Sequence, residues 1–143
     1  MMKIGEKLKE IRKGCGYSQQ EMSLMLDMAK NSYGSYERNN SIPSVENFVK
    51  LAGILHTSVQ YLITGKELST EFQEESTSFT ERLRELRKKS HLTQEKVANV
   101  LEIRRETYRG YEAGDYEPKL DKLLILADLY QVTLDELMGR NRK

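Results

Sequence analysis

Tyr17-Ser-Gln-Gln-Glu-Met22 reads as the start of a helix, and 75 residues later Leu92-Thr-Gln-Glu-Lys-Val97 reads as the same start again. In the first string Ser18 and Glu21 stand in capping-box spacing, each placed to satisfy an amide that the first helical turn leaves without a partner. Tyr17 can staple onto Met22 across that cap. Thr93 supplies the same cap in the second string, where Lys96 replaces the reciprocal acid. Outward from these two starts the register holds without a gap. Identities recur at Glu6/Glu81, Leu8/Leu83, Arg12/Arg87, Gln19/Gln94, Leu26/Leu101, Tyr33/Tyr108, Tyr36/Tyr111, Glu37/Glu112, Pro43/Pro118, Leu51/Leu126, Ala52/Ala127 and Leu62/Leu137. Residues 4–65 thus lie on residues 79–140, and any function must make sense twice.

The repeat predicts two small modules, 1–66 and 79–143, each at the lower end of self-folding size. Between them, residues 67–78 hold four acids and no base, with little apolar content and no periodicity, and read as a solvated linker. Fully extended, it would reach at most ~40 Å. The net charge of +1 conceals this division: residues 1–66 carry nine basic and six acidic side chains, and residues 79–143 carry fourteen and twelve. Both modules are mildly basic around an acidic joint.

Apolar spacing within each module is helical. Ile4, Leu8 and Ile11 share a face, as do Val45, Phe48, Ala52 and Leu55; the second copy repeats this with Phe79, Leu83, Leu86 and with Leu120, Leu123, Ala127, Tyr130. After the helix that ends near Leu26, residues 29–38 form another polar-apolar segment with Tyr33 and Tyr36 turned inward. Asn39 and Gly114 suit the left-handed conformation that closes a helix. Fifth helices follow Ser58 and Thr133, the latter heading the box Thr133-Leu-Asp-Glu136. The expected fold is all-α, five short helices per module. Two prolines, no tryptophan and a charged fraction of 31% agree with solvated helices.

No stretch approaches the ~18 consecutive apolar residues of a spanning helix, and the start lacks the apolar core of a signal peptide, so a cytoplasmic protein without membrane contact is expected. The single Cys15 excludes an internal disulfide and a cysteine-rich zinc site. His56 and His91 have no carboxylate or thiol in ligand spacing, so no metal or cofactor is expected. No nucleophile with a base, paired catalytic carboxylates or phosphate-cradling glycine loop is present, which argues against an enzyme.

Both copies resemble the Xre/Cro/C1-type, or lambda-repressor-like, helix-turn-helix family. In the first copy the resemblance is carried by Leu8-Lys-Glu-Ile-Arg12, Tyr17-Ser-Gln-Gln-Glu-Met22, Tyr33-Gly-Ser-Tyr-Glu-Arg38, Pro43-Ser-Val-Glu46 and Leu51-Ala52. In the second it is carried by Leu83-Arg-Glu-Leu-Arg87, Leu92-Thr-Gln-Glu-Lys-Val97, Tyr108-Arg-Gly-Tyr-Glu112, Pro118, Leu126-Ala-Asp-Leu129 and Val132-Thr-Leu-Asp-Glu-Leu137. The pattern departs where the family commonly has glycine: Asp27 and Glu102 stand in the turn, and Asn39 follows the first recognition helix. Glu102 in a positive-φ position carries a steric cost.

The resemblance implies that each third helix reads a major groove of double-stranded DNA with its N-terminal residues. Candidate contacts are Lys30, Asn31, Ser32 and Ser35 in the first module and Arg104, Arg105, Glu106, Thr107 and Arg109 in the second. Asn31 suits adenine, Arg105 guanine and Glu106 cytosine, while Arg104 suits phosphate. Gln19 and Gln94 would donate to phosphates. Gly34 either permits close approach to DNA or is simply tolerated. Arg12/Glu37 and Arg87/Glu112 are expected as structural ion pairs, and the four repeated tyrosines as core. The function implied is a sequence-specific transcriptional regulator, a repressor in the first instance. The alternative is an antitoxin-like or interaction adaptor in which one module, the first, binds a protein partner. Should the chain form a homodimer, the DNA footprint would double.

Overall fold

Ser18, Ser44, Ser58, Ser78, Thr93 and Thr133 each accept a hydrogen bond from the amide three residues on, and these six caps fix where helices begin. Ser18–Glu21 and Thr133–Glu136 close full capping boxes. Each cap contributes about 1 kcal/mol over alanine. The computed structural model describes residues 3–68 and 71–143, and the chain divides into the units Met1–Ser69 and Thr70–Lys143. The first contains α1 (Gly5–Cys15), α2 (Gln19–Met25), α3 (Gly34–Glu37), α4 (Val45–Ile54) and α5 (Val59–Thr64). The second contains β1 (Phe72–Ser76), α6 (Phe79–Lys89), α7 (Gln94–Leu101), α8 (Arg105–Ala113), α9 (Leu120–Tyr130), α10 (Leu134–Leu137) and β2 (Arg140–Arg142). Helices α2, α4 and α5 start in register with α7, α9 and α10.

The expected apolar faces form the cores. Leu8, Met22, Tyr33, Phe48, Leu51 and Leu62 are buried in the first unit; Leu83, Leu101, Tyr108, Leu126, Leu134 and Leu137 are buried in the second. Each such side chain stabilises its unit by roughly 1.5–3 kcal/mol. Tyr33 meets Tyr36 edge-on at 5.9 Å between ring centroids, and Tyr108 meets Tyr111 at 6.1 Å, so the repeated tyrosines are core residues. Helix α1 starts hard against the end of α3, where the Gly5 amide donates to Asn39 Oδ1 at 3.0 Å. A Cβ on Gly5 would stand 2.2 Å from the Glu37 carbonyl oxygen, so this approach requires glycine.

Two expectations need correction. Part of the segment read as a linker is a strand: Phe72–Ser76 runs antiparallel to Arg140–Arg142, with Phe72 opposite Arg142 and Ser76 opposite Arg140. The Phe72 ring lies 3.8 Å from the Arg140 guanidinium, and Arg140 in turn binds the fully buried Asp135 at 2.9 Å. Those contacts come from the far end of the unit, which explains why local composition concealed them. The ~40 Å reach assumed twelve free extended residues and no longer applies. Ser69 and Thr70 of that segment lie outside the described residues.

The third helices also differ. Helix α8 has nine residues, but α3 has four and starts one turn later in register. Residues 29–33 form a turn in which Asn31 is left-handed at φ 68°. One hydroxyl distinguishes the two copies here. Ser23 Oγ accepts from the buried Tyr33 amide at 3.0 Å, whereas the matching residue Ala98 offers no side-chain acceptor and the Tyr108 amide bonds in helical fashion to the Arg104 carbonyl. Ser23→Ala should therefore lengthen α3, because the alternative is a buried amide without a partner at a cost of about 1–3 kcal/mol. Backbone chemical shifts of residues 30–33 should move to helical values. Unchanged shifts would count against this role for Ser23.

Candidate DNA-binding surface

The second module shows the helix-turn-helix arrangement in full. Helix α7 ends at Glu102, whose φ of 56° is the left-handed value expected for the turn. Asp27 takes the same conformation at φ 60°. Both residues accept a strain that glycine would avoid. Arg104 is the extended N-cap of α8, and its side chain does not cap the first amides of the helix.

Arg104, Arg105, Glu106 and Arg109 are exposed at this start, Thr107 is half-buried, and among the described residues none of the three arginines forms an ion pair. Arg105 and Arg109 are one turn apart on one face. Nine residues extend about 13 Å at ~1.5 Å each, comparable to the ~12 Å width of a major groove. The structure thus brings the second module's candidate residues together on one element.

It does not do so in the first. Lys30, Asn31 and Ser32 lie in the turn ahead of α3, not on the helix as expected. Ser35 is on α3, but its Oγ donates to the Ser32 carbonyl at 2.9 Å and meets Ser41 Oγ at 2.6 Å, which commits it to local structure. Sequence reasoning also passed over Arg38. Its side chain folds back over α3, so that a Cβ built on Gly34 would stand 2.7 Å from Arg38 Nη1. The signal was available, since Gly34 aligns with Arg109 and Arg38 with Ala113.

Behind each third helix lies the same buried network. Arg12 Nε and Nη2 donate to the two Glu37 carboxylate oxygens at 2.6 and 3.0 Å, while Nη1 donates to the Tyr17 carbonyl at 2.8 Å. Arg87 repeats this on Glu112 at 2.7 and 3.1 Å and on the Leu92 carbonyl at 3.1 Å. Gln19 and Gln94 join through their side-chain amides, Nε2 donating to Glu37 Oε1 at 2.9 Å and to Glu112 Oε1 at 3.2 Å. Each glutamine therefore positions the network and has only its second Nε2 hydrogen to offer a phosphate. Burial opposes ionisation of Glu37, yet the Arg12 and Gln19 hydrogen bonds hold its carboxyl below the ordinary value; Glu112 behaves alike beside Arg87. Burial and then the adjoining carboxylate push the Tyr33 and Tyr108 hydroxyls far above the phenol range, as befits core residues.

Cys15 ends α1, exposed, with Sγ 3.8 Å from the Leu55 carbonyl oxygen. His56 and His91 occupy left-handed turn positions at φ 54° and 57°. Among the described residues no helix is long and apolar enough to cross a membrane.

Comparison with known proteins agrees with this geometry. The helix-turn-helix family model matches residues 8–62 and again residues 83–137. Over 63 residues the chain is 46% identical to the HTH-type transcriptional regulator AnsR of Bacillus subtilis (strain 168), covering 44% of this chain and 54% of that protein. It is 48% identical over 61 residues to the HTH-type transcriptional regulator YobD of the same organism, covering 43% and 54%. It is 40% identical over 61 residues to the cryptic phage CTXphi transcriptional repressor RstR of Vibrio cholerae, covering 43% and 55%. The chain spans about half the length of the curated relatives it matches.

Proposed function

The chain belongs, in both of its modules, to the Xre/Cro/C1-type helix-turn-helix family, and on that premise we propose that it is a sequence-specific DNA-binding transcriptional regulator that represses by occupying an operator. The observation that carries this reading is the start of α8, where three exposed arginines, none in an ion pair among the described residues, cluster at a helix start that Arg104 does not cap. Arg105 and Arg109 would enter the groove and Arg104 would hold phosphate. Because the two reading elements differ, the preferred site should consist of unlike halves. Catalysis has no part in this reading.

Selection of bound sequences from a random duplex pool, followed by a salt series on the recovered site, tests it. A chain that neutralises about six phosphates should lose roughly 10³-fold in affinity between 50 and 200 mM salt. Flat salt dependence and no enriched sequence would reject DNA reading. One observation favours the adaptor alternative for the first module: α2 presents Leu24 to solvent at 79% exposure where the second module has the polar Asn99. Under that reading, the recovered site would contain a single half.

A further inference from the structure

Resting on the DNA-binding reading, we propose that Arg38 is the cation through which the first module contacts DNA, and that residue 34 is glycine to seat it. Gly34 lies within α3 and does not adopt a positive φ, so backbone conformation does not call for glycine there. Space does. A Cβ at this position would come within 2.7 Å of Arg38 Nη1 and 3.0 Å of Gln19 Oε1, which places the guanidinium across the helix surface at residue 34.

That surface is where the second module carries Arg109, the register partner of Gly34. The partner of Arg38 is Ala113, which cannot supply a charge. Each module therefore has a guanidinium associated with this register position of the third helix, by different routes. In the second it grows from the helix; in the first it grows from the residue one turn later and folds back. Arg38 is exposed and forms no ion pair among the described residues. Its planar fork has five N–H donors, and among the described residues none is engaged in a hydrogen bond, so a pair of acceptors can be met. Phosphate oxygens and the O6/N7 edge of guanine both present such a pair. Lys30, the cation chosen from sequence, lies in the turn outside α3.

The test uses the intact chain on its selected duplex. Arg38→Ala should weaken binding about tenfold and Lys30→Ala less than about threefold. The double variant Gly34→Arg/Arg38→Ala rebuilds the second module's arrangement in the space that Arg38 vacates, and should recover most of the affinity. Thermal unfolding of each variant checks that the fold is intact. A uniform loss across sequences with a salt slope reduced by about one marks phosphate as the acceptor; a loss confined to one base pair marks guanine. Arg38→Ala binding as well as the native chain while Arg109→Ala binds poorly would overturn the proposal and leave DNA reading standing. A tenfold loss that the double variant does not recover would overturn the seat over Gly34. If the native chain itself shows no salt-dependent binding, the DNA-binding reading has failed, not this assignment alone.

Discussion

Arg12→Ala should leave the first module only marginally stable at 25 °C, and Arg87→Ala should do the same to the second. Glu37 and Glu112 have side chains only 3% exposed, so removing the arginine strands a carboxylate in the interior. Breaking such a pair costs about 3–5 kcal/mol. A module of this size has roughly 0.05–0.15 kcal/mol per residue in total, so the loss consumes most of its stability. The arginine also donates to the carbonyl ahead of α2 or α7, and both positions lose that bond too. Hydrogen exchange resolved by residue on the intact chain is the measurement, because it reads each module separately. Retained protection in Arg12→Ala, with loss of DNA affinity alone, would make the pair a DNA contact and refute the structural role.

The pH dependence follows from the same network. The folded Glu37 and Glu112 carboxyls titrate below their unfolded counterparts, and Arg12 and Arg87 are held even more firmly protonated than usual. A carboxyl lowered by folding contributes stability that is fully present above the unfolded value near ~4.3 and is lost as pH falls through the folded value. Acid should therefore loosen both modules below about pH 4. Glu37→Gln should remove that acid dependence from the first.

What the sequence made legible was whatever depends on near neighbours along the chain or on repetition. Capping hydroxyls announce their own helices three residues ahead, and Ser18, Ser58, Thr93 and Thr133 were readable for that reason. Arg12 and Glu37 were readable because the repeat presented the pair twice. The strand Phe72–Ser76 was not, since its partner lies at Arg140–Arg142 and the pairing is secured by Phe72 on Arg140 and Arg140 on Asp135. The short α3 was hidden by similar means: ahead of it, Ser23, ten residues back, takes the Tyr33 amide in one buried hydrogen bond. Periodicity assigns an inward face but is blind to an acceptor arriving from another helix. Arg38 was passed over because base reading was sought at the start of the third helix; it stands one turn beyond Gly34 on the same face, and spacing does not reveal that its stem folds back over that residue.

Arg105→Ala and Arg109→Ala should each reduce specific binding by roughly 10- to 100-fold, and more than Lys30→Ala does. A well-placed bidentate arginine discriminates its base by about 1–3 kcal/mol, which is the origin of that range. Lys30 cannot match it from the turn, since an ammonium offers a point charge without the fork, and a residue outside the helix is not held in register with the base edges. Both arginines are exposed, so their removal should leave thermal unfolding unchanged and isolate the effect on binding. The two need not fail alike: loss at a single base pair is expected for Arg105 near the helix start, while Arg109, one turn deeper, should also lower the salt slope if it reaches phosphate. Titrations on the selected site, run side by side at one ionic strength, decide the matter. Equal losses at Lys30 and Arg105, or a reversed order, would assign base reading to the first module and leave the greater length of α8 without a role in it.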